Sequence, residues 1–157
     1  MSLFTRLYDY FFSTPTIRFV KVRISAKPPF KNNKHDAGWD MHACTEHNMP
    51  VLIPADGVVK IPSGIKMMIP KGWCGYIITR SSGTLKQLDI SGVIDSGYTG
   101  EVQIIVRNVG TSSVLIQPGE RIAQLLLVKV PSVKWIEVDS LEQTERGENG
   151  FGSSGKL

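Results

Sequence analysis

At 157 residues, with 41% hydrophobic and 20% charged positions, the chain has the size and balance of one globular domain. Its two cysteines, Cys44 and Cys74, form no CxxC or zinc spacing, which fits a reducing compartment and allows at most one disulfide. The net charge of +4 comes from scattered basic residues, with no long Lys/Arg run or RNP-type motif; it fits a small polyanionic ligand as well as nucleic acid and alone decides neither. No apolar run approaches membrane-spanning length.

Residues 1–16 (MSLFTRLYDYFFSTPT) are aromatic but interrupted by Asp9, so they read as an arm against a partner subunit or as a leader without structure, not as a signal peptide. Segment 17–24 alternates, with a register change near Phe19–Val20 that predicts a bulge. Residues 27–36 form a polar loop. Turn signals then recur at Pro54–Gly57, Pro62–Gly64, Pro70–Gly72, Asp95–Gly97 and Pro118–Gly119. They separate strand-like segments at 58–61, 65–69, 73–79, 101–107, 113–117 and 121–130. Within 102–106, period-two alternation puts Val102, Ile104 and Val106 on one face. The run IAQLLLVKV also has helical periodicity, but Gly119 and Pro131 confine it to a short element. Short strands at this spacing predict a sandwich or barrel over residues 17–138. Residues 139–157 are polar and glycine-rich, and are expected to be mobile until a ligand orders them.

Several chemistries are unsupported. His35, His42 and His47 lack an HExxH spacing, so surface histidines are expected rather than zinc ligands. No GxSxG occurs. The tail run from Gly150 to Lys156 fits GxxxxGK, but Leu157 follows where a Walker A loop needs Ser or Thr.

Five segments do carry chemistry. Arg146 offers a planar fork for phosphate, the glycines after it can turn N–H groups toward an anion, and Phe151 can stack on a base for about 1–3 kcal/mol. Thr79-Arg80-Ser81-Ser82-Gly83 is a second phosphate-binding composition. In Gly92–Val102, Asp95 sits at a turn between two strands, where a carboxylate could take a proton from water. Ala37–Met41 and Gly119–Leu125 contribute Asp40, Arg121 and Gln124. Taken singly, each segment is more often an ordinary turn, a half-buried strand or a solvated terminus.

Together and in order, AGWDMHA, RSS, GVIDSGYTGEV, GERIAQLLL and RGENGFGSSG resemble the five motifs of the trimeric dUTP pyrophosphatases (dUTPases) across residues 37–155. The resemblance implies an all-β fold: a distorted jelly-roll or β-barrel-like single domain of the β-clip type. It also implies a homotrimer whose sites draw on all three chains, with a flexible C-terminal arm carrying the fifth motif. The implied reaction is dUTP to dUMP and pyrophosphate, which controls the dUTP level and supplies dUMP for dTMP synthesis. Asp95 would be the general base for water attacking the α-phosphorus. Arg80, Ser81 and Ser82 would hold phosphates, supported by Gln124. Backbone groups at Gly92, Val93 and Ile94, with Gln103, would pair with uracil, and Tyr98 would lie beneath the deoxyribose. Arg146 would reach the terminal phosphate, and Phe151, Gly152 and Ser153 would close over the nucleotide. Mg²⁺ would bridge phosphate oxygens, with Asp40 ordering its water. The resemblance fits an intracellular protein, cytoplasmic or nuclear, and its Ser-Ser and Gly-Tyr-Thr-Gly choices are similar to some viral members.

Trp39, Thr79, Ser82, Gly83 and Thr99 stand where the family commonly has Tyr, Pro, Gly, an apolar residue and Arg. Two competing functions remain open at this level: dCTP deamination on the same fold, and nucleotide sensing without turnover. Asp95, Tyr98 and the aromatic tail favour the hydrolase.

Overall fold

The structure, a computed structural model, describes residues 14–148 and Gly150. Most of the N-terminal arm, and Phe151, Gly152 and Ser153 of the fifth motif, lie outside the described residues. Among the described residues are nine strands: β1 (Arg18–Lys21), β2 (Trp39–His42), β3 (Val51–Ile53), β4 (Val58–Met68), β5 (Trp73–Thr79), β6 (Leu88–Ile94), β7 (Glu101–Asn108), β8 (Val114–Ile116) and β9 (Arg121–Lys129). A five-residue helix, α1 (Ser81–Leu85), joins β5 to β6, and a 3-10 turn spans Glu46–Asn48. The fold is therefore nearly all β, as the turn spacing predicts.

Seven strands form one curled antiparallel sheet in the order β1-β4-β7-β6-β5-β9-β2, and β3 pairs with β8. Alternation along the strands builds the core. Val102, Ile104 and Val106 of β7 point inward, joined by Ile61 and Ile65 of β4, Ile90 of β6, Ile77 of β5, Met41 of β2 and Leu125 of β9. Each such side chain contributes about 1.5–3 kcal/mol on burial. The run at 121–130 is a strand and not a helix, because it has partners on both sides, β2 and β5.

Two expectations need correction. Segments 58–61 and 65–69 are not separate strands: β4 runs through Pro62-Ser63-Gly64 without a turn. Its pairing with β7 passes from Pro62↔Gln103 to Lys66↔Glu101, four residues on one strand against two on the other. Pro62 has no N–H for the ladder and Gly64 sits at φ +70°, so the extra residues are absorbed as a bulge. The bulge expected near Phe19–Val20 is absent; β1 pairs with β4 in unbroken register from Arg18↔Met68 to Lys21↔Ile65. All four β1 residues are exposed at a sheet edge, so burial imposes no alternation there.

Strand β6 changes partners along its length. Leu88–Ile90 pair with β7, but Ser91–Ile94 pair with β5 instead. Beyond Ile90↔Val106 the two arms of the hairpin separate, while β7 keeps β4 on its other edge from Arg107 to Glu101. The chain thus leaves a gap between β6 and β7, capped by the turn at 95–100. Asn108, fully buried, fastens the opposite end: its Nδ2 donates to the carbonyls of Ile53 (3.1 Å), Pro54 (3.0 Å) and Ser112 (2.9 Å), and its Oδ1 accepts from Gly110 N–H (3.0 Å). No described helix is long and apolar enough to cross a membrane.

Candidate active site

Strand β9 lies between β2 and β5, and this order brings three of the five motifs together. Asp40 on β2 faces Gln124 on β9, and Gln124 faces Ile78 on β5, two residues before Arg80. Asp40 is buried, with a side chain only 8% exposed. Each of its carboxylate oxygens accepts from a different arginine: Oδ1 from Arg80 Nε at 2.7 Å and Oδ2 from Arg121 Nη1 at 3.1 Å. Arg80 Nη1 also donates to the Arg121 carbonyl (3.0 Å) and to Ser82 Oγ (3.2 Å). Its Nη2 has no hydrogen-bond partner among the described residues. Two guanidinium groups share one carboxylate, so this cluster carries a surplus positive charge.

The cluster floors a polar recess walled by Gln124, Gly38, Asn32, Asn33 and Asp36. The 30–36 loop is held over it by strand-like bonds between Phe30 and Asp40 (3.1 and 2.6 Å). Lys31 Nζ lies 3.9 Å from the centre of the Trp39 ring and donates to the Asp36 carbonyl. Ser81 and Ser82 are exposed at the start of α1. This geometry suits an anion, with donors converging from the end of β5 and from β9.

Arg121 is the group that sequence reasoning left without a role. Its signal was its place three residues before Gln124 in GERIAQ, but its partner Asp40 is 81 positions away. Next to the cluster, His42 Nδ1 is buried without a hydrogen-bond partner among the described residues, and burial, with Lys27 nearby, holds the imidazole below its ordinary pKa.

Asp95 has a contrasting setting. It is exposed, and its carboxylate makes no hydrogen bond or ion pair among the described residues. Its carbonyl accepts from Tyr98 N–H at 3.1 Å, which makes Asp95–Tyr98 a tight turn. Gly92 and Val93 border the gap between β6 and β7, Gly92 facing open space, while Ile94 is buried. Gln103 is exposed on β7, opposite Pro62. Tyr98 is exposed, and its hydroxyl donates to the Glu101 carbonyl at 2.9 Å.

Glu101 was also missed. Its carboxylate takes Arg23 Nε (3.0 Å), Arg23 Nη2 (3.3 Å) and Gly64 N–H (2.9 Å). Burial alone would raise its pKa, but these bonds carry it below the ordinary carboxylate value.

Within one chain the two groups do not meet. Ile94 pairs with Gly75, so Asp95 aligns with the residue before Gly75, six positions from Arg80. At about 3.3 Å per residue the two lie roughly 20 Å apart. That span exceeds the length of a triphosphate. From Pro131 to Glu148 the described chain has no strand or helix. Val133, Trp135, Ile136, Val138 and Leu141 are all more than half exposed along it. Arg146, also exposed, lies in a turn in which Gly147 N–H bonds the Thr144 carbonyl at 3.0 Å.

Among the described residues, no group of three His, Cys, Asp or Glu side chains could cage a metal ion. An Mg²⁺ that enters on substrate phosphates and keeps its waters needs no such cage. Asp40 fits that role: each oxygen accepts one arginine N–H and retains a lone pair for a metal-bound water.

A family model described as dUTPase matches residues 25–155. The chain is 38% identical over 124 residues to the deoxyuridine 5'-triphosphate nucleotidohydrolase of Gloeobacter violaceus, covering 76% of this chain and 83% of the relative. It is 37% identical over 140 residues to the enzyme of that name from Rabbitpox virus, covering 88% and 92%. Its fold is similar to that of a mutant dUTPase of Staphylococcus bacteriophage 80alpha solved with dUpNHpp. There the TM-score is 0.83 at 29% identity, covering 91% of this chain and 100% of the other.

Proposed function

The chain belongs to the dUTPase family and is a deoxyuridine 5'-triphosphate nucleotidohydrolase, and we propose that it cleaves dUTP to dUMP and pyrophosphate at sites shared between the chains of a homotrimer. The observation that carries the shared site is the separation of Asp95 from Arg80 within one chain. A base must stand within about 3 Å of the water it activates, so the phosphate-binding cluster beside Asp95 has to come from another subunit. The exposed apolar residues between 133 and 141 support the same reading, because such a strip calls for a partner surface.

In this site the uracil enters the gap between β6 and β7 of one chain. Backbone groups of Gly92–Ile94 on the gap side have no strand partner among the described residues, which leaves them for the base edge, and Gln103 stands on the facing strand. The absence of a side chain at Gly92 gives the base room. Tyr98 forms the surface beneath the deoxyribose.

Arg80, Ser81 and Ser82 of a second chain hold the phosphates, with Arg121 and Gln124 beside them. Asp95 accepts a proton as water oxygen bonds to the α-phosphorus, and the bond to the pyrophosphate oxygen breaks. Such general-base help contributes about 10²–10⁴-fold, and fixed positive donors contribute to the rest. When bound, Mg²⁺ neutralises phosphate charge, with Asp40 holding its water shell. Arg146, Phe151, Gly152 and Ser153 of the arm cover the nucleotide. In a cell this lowers dUTP and provides dUMP for dTMP synthesis.

The test is pyrophosphate release from a panel of dNTPs with Mg²⁺, with ammonia release measured in parallel. Turnover confined to dUTP without ammonia supports the assignment. Ammonia from dCTP with dUTP untouched contradicts it, as does nucleotide binding without turnover.

A further inference from the structure

We propose that Arg23 and Glu101 are the positioning pair that sets sugar selectivity, by fixing the Tyr98 ring; this rests on the reading of Tyr98 as the surface beneath the deoxyribose. The ring is folded onto Gly100. A Cβ added there would fall 2.4 Å from Tyr98 Oη, 2.6 Å from Cζ and 2.9 Å from Cε2. The phenol hydroxyl then donates to the carbonyl of Glu101. The ring therefore has two supports, and both are backbone of Gly100–Glu101. Its position is as definite as that backbone is.

Three chain segments converge to define it. Arg23 follows β1 and grips the Glu101 carboxylate with a two-pronged fork, Nε at 3.0 Å and Nη2 at 3.3 Å. The same carboxylate takes the N–H of Gly64 at 2.9 Å. Gly64 lies in the β4 bulge at φ +70°, and its carbonyl accepts from Val22 N–H at 2.8 Å. A Cβ on Gly64 would fall 2.5 Å from Ala26 Cβ and 2.8 Å from Cys44 Sγ, so only glycine fits. The bulge thus exists where the first residue of β7 is tied down. The other end of the 95–100 turn is held by the pairing of β6 with β5. The turn is clamped at both ends, with Asp95 next to the β6 end and Tyr98 resting on the Glu101 end.

Arg23 is one-third exposed, and a pair that open adds little net stability. What a bidentate fork does supply is direction. Sugar discrimination needs direction. Rejecting a ribose 2′-hydroxyl is a steric act, and a wall that can swing by a fraction of an ångström no longer rejects it. Neither Arg23 nor Glu101 is placed against reacting atoms; both act through Tyr98.

The test compares kcat/KM for dUTP and UTP in Glu101→Gln, Arg23→Lys and Tyr98→Ala, with Tm measured for each. Glu101→Gln, which keeps shape but loses the charged fork, should narrow the dUTP-over-UTP preference about tenfold or more, mainly by admitting UTP. The kcat for dUTP should stay within about threefold. Arg23→Lys keeps charge without the fork and should narrow the preference in the same direction by less. A lowered Tm with an unchanged preference in both variants would make the pair merely structural and overturn the proposal. If Tyr98→Ala relaxes selectivity while Glu101→Gln does not, the proposal fails and the reading of Tyr98 stands. If Tyr98→Ala keeps full selectivity, the reading of Tyr98 fails and takes the proposal with it.

Discussion

The Asp40 recess and the Asp95 turn are built on opposite logic. In the recess each Asp40 oxygen already accepts from an arginine, the acid is buried, and Arg80, just after β5, and Arg121 of β9 converge on it. At the turn the acid is exposed and has no described partner. A binding pocket gains from pre-formed geometry, because the ordering cost is met when the chain folds. A general base needs the reverse, a carboxylate with open lone pairs that meets its proton donor only when substrate arrives. Placing the two at opposite ends of the β5–β6 pair keeps Arg80 from saturating Asp95 in the free chain. On the proposed shared site, it also makes assembly a condition of chemistry.

The largest expected effect comes from removing the open acid. Asp95→Asn should keep nucleotide affinity and fold, and lose about 10²–10⁴ in kcat, the ordinary range for a general base. Near-normal kcat with bound nucleotide would take Asp95 out of the reaction.

Breaking the ion-paired acid should act differently. Asp40→Asn leaves two arginines facing a neutral amide. A fully buried pair broken on one side costs about 3–5 kcal/mol. Because Arg121 is 43% exposed, solvent screening reduces this to about 2 kcal/mol here, or roughly 4–8 °C in Tm for a chain of this size. The loss should be read in Tm and in KM, with a smaller change in kcat. A kcat effect equal to that of Asp95→Asn would erase the distinction between the two acids.

The smallest effect concerns His42, beside the recess. Burial holds its folded pKa below the unfolded value of about 6.5. The unfolded chain therefore binds the proton first. Stability is complete above about pH 6.5 and declines as pH falls from there toward the lower folded pKa. His42→Gln should flatten Tm against pH across that window. Glu101 belongs to a separate window: its depressed pKa adds stability that is present above about pH 4.3 and is lost as pH falls through the folded value. An unchanged slope between pH 5 and 7 in His42→Gln would exclude the imidazole as the source.

Local patterns carried much of this into the sequence. Val102, Ile104 and Val106 declared an inward face through period two alone. Gly92–Val102 declared a turn, and its order relative to RSS and GERIAQ declared the family. Pairings that depend on distant chain were not legible. Arg23 meets Glu101 across 78 positions and Asp40 meets Arg121 across 81, so neither pair leaves a local signature. The Pro62-Ser63-Gly64 run has turn composition, and only the register of β7 makes it a bulge. The change of partner along β6 was hidden for the same reason. Its residues carry no mark of which neighbour they will pair with, yet that change opens the gap beside Asp95.

Subunit complementation tests the shared site most directly. Asp95→Asn and an Arg80→Gln variant, each nearly inactive alone, are unfolded, mixed one to one and reassembled. If Asp95 and Arg80 of one site come from different chains, about one quarter of the sites in randomly mixed trimers regain both groups. Activity should then rise to about one quarter of wild type, the product of two independent one-half chances. Activity no higher than that of the parent variants, in trimers shown to be mixed, would place both groups in one chain and contradict the shared site.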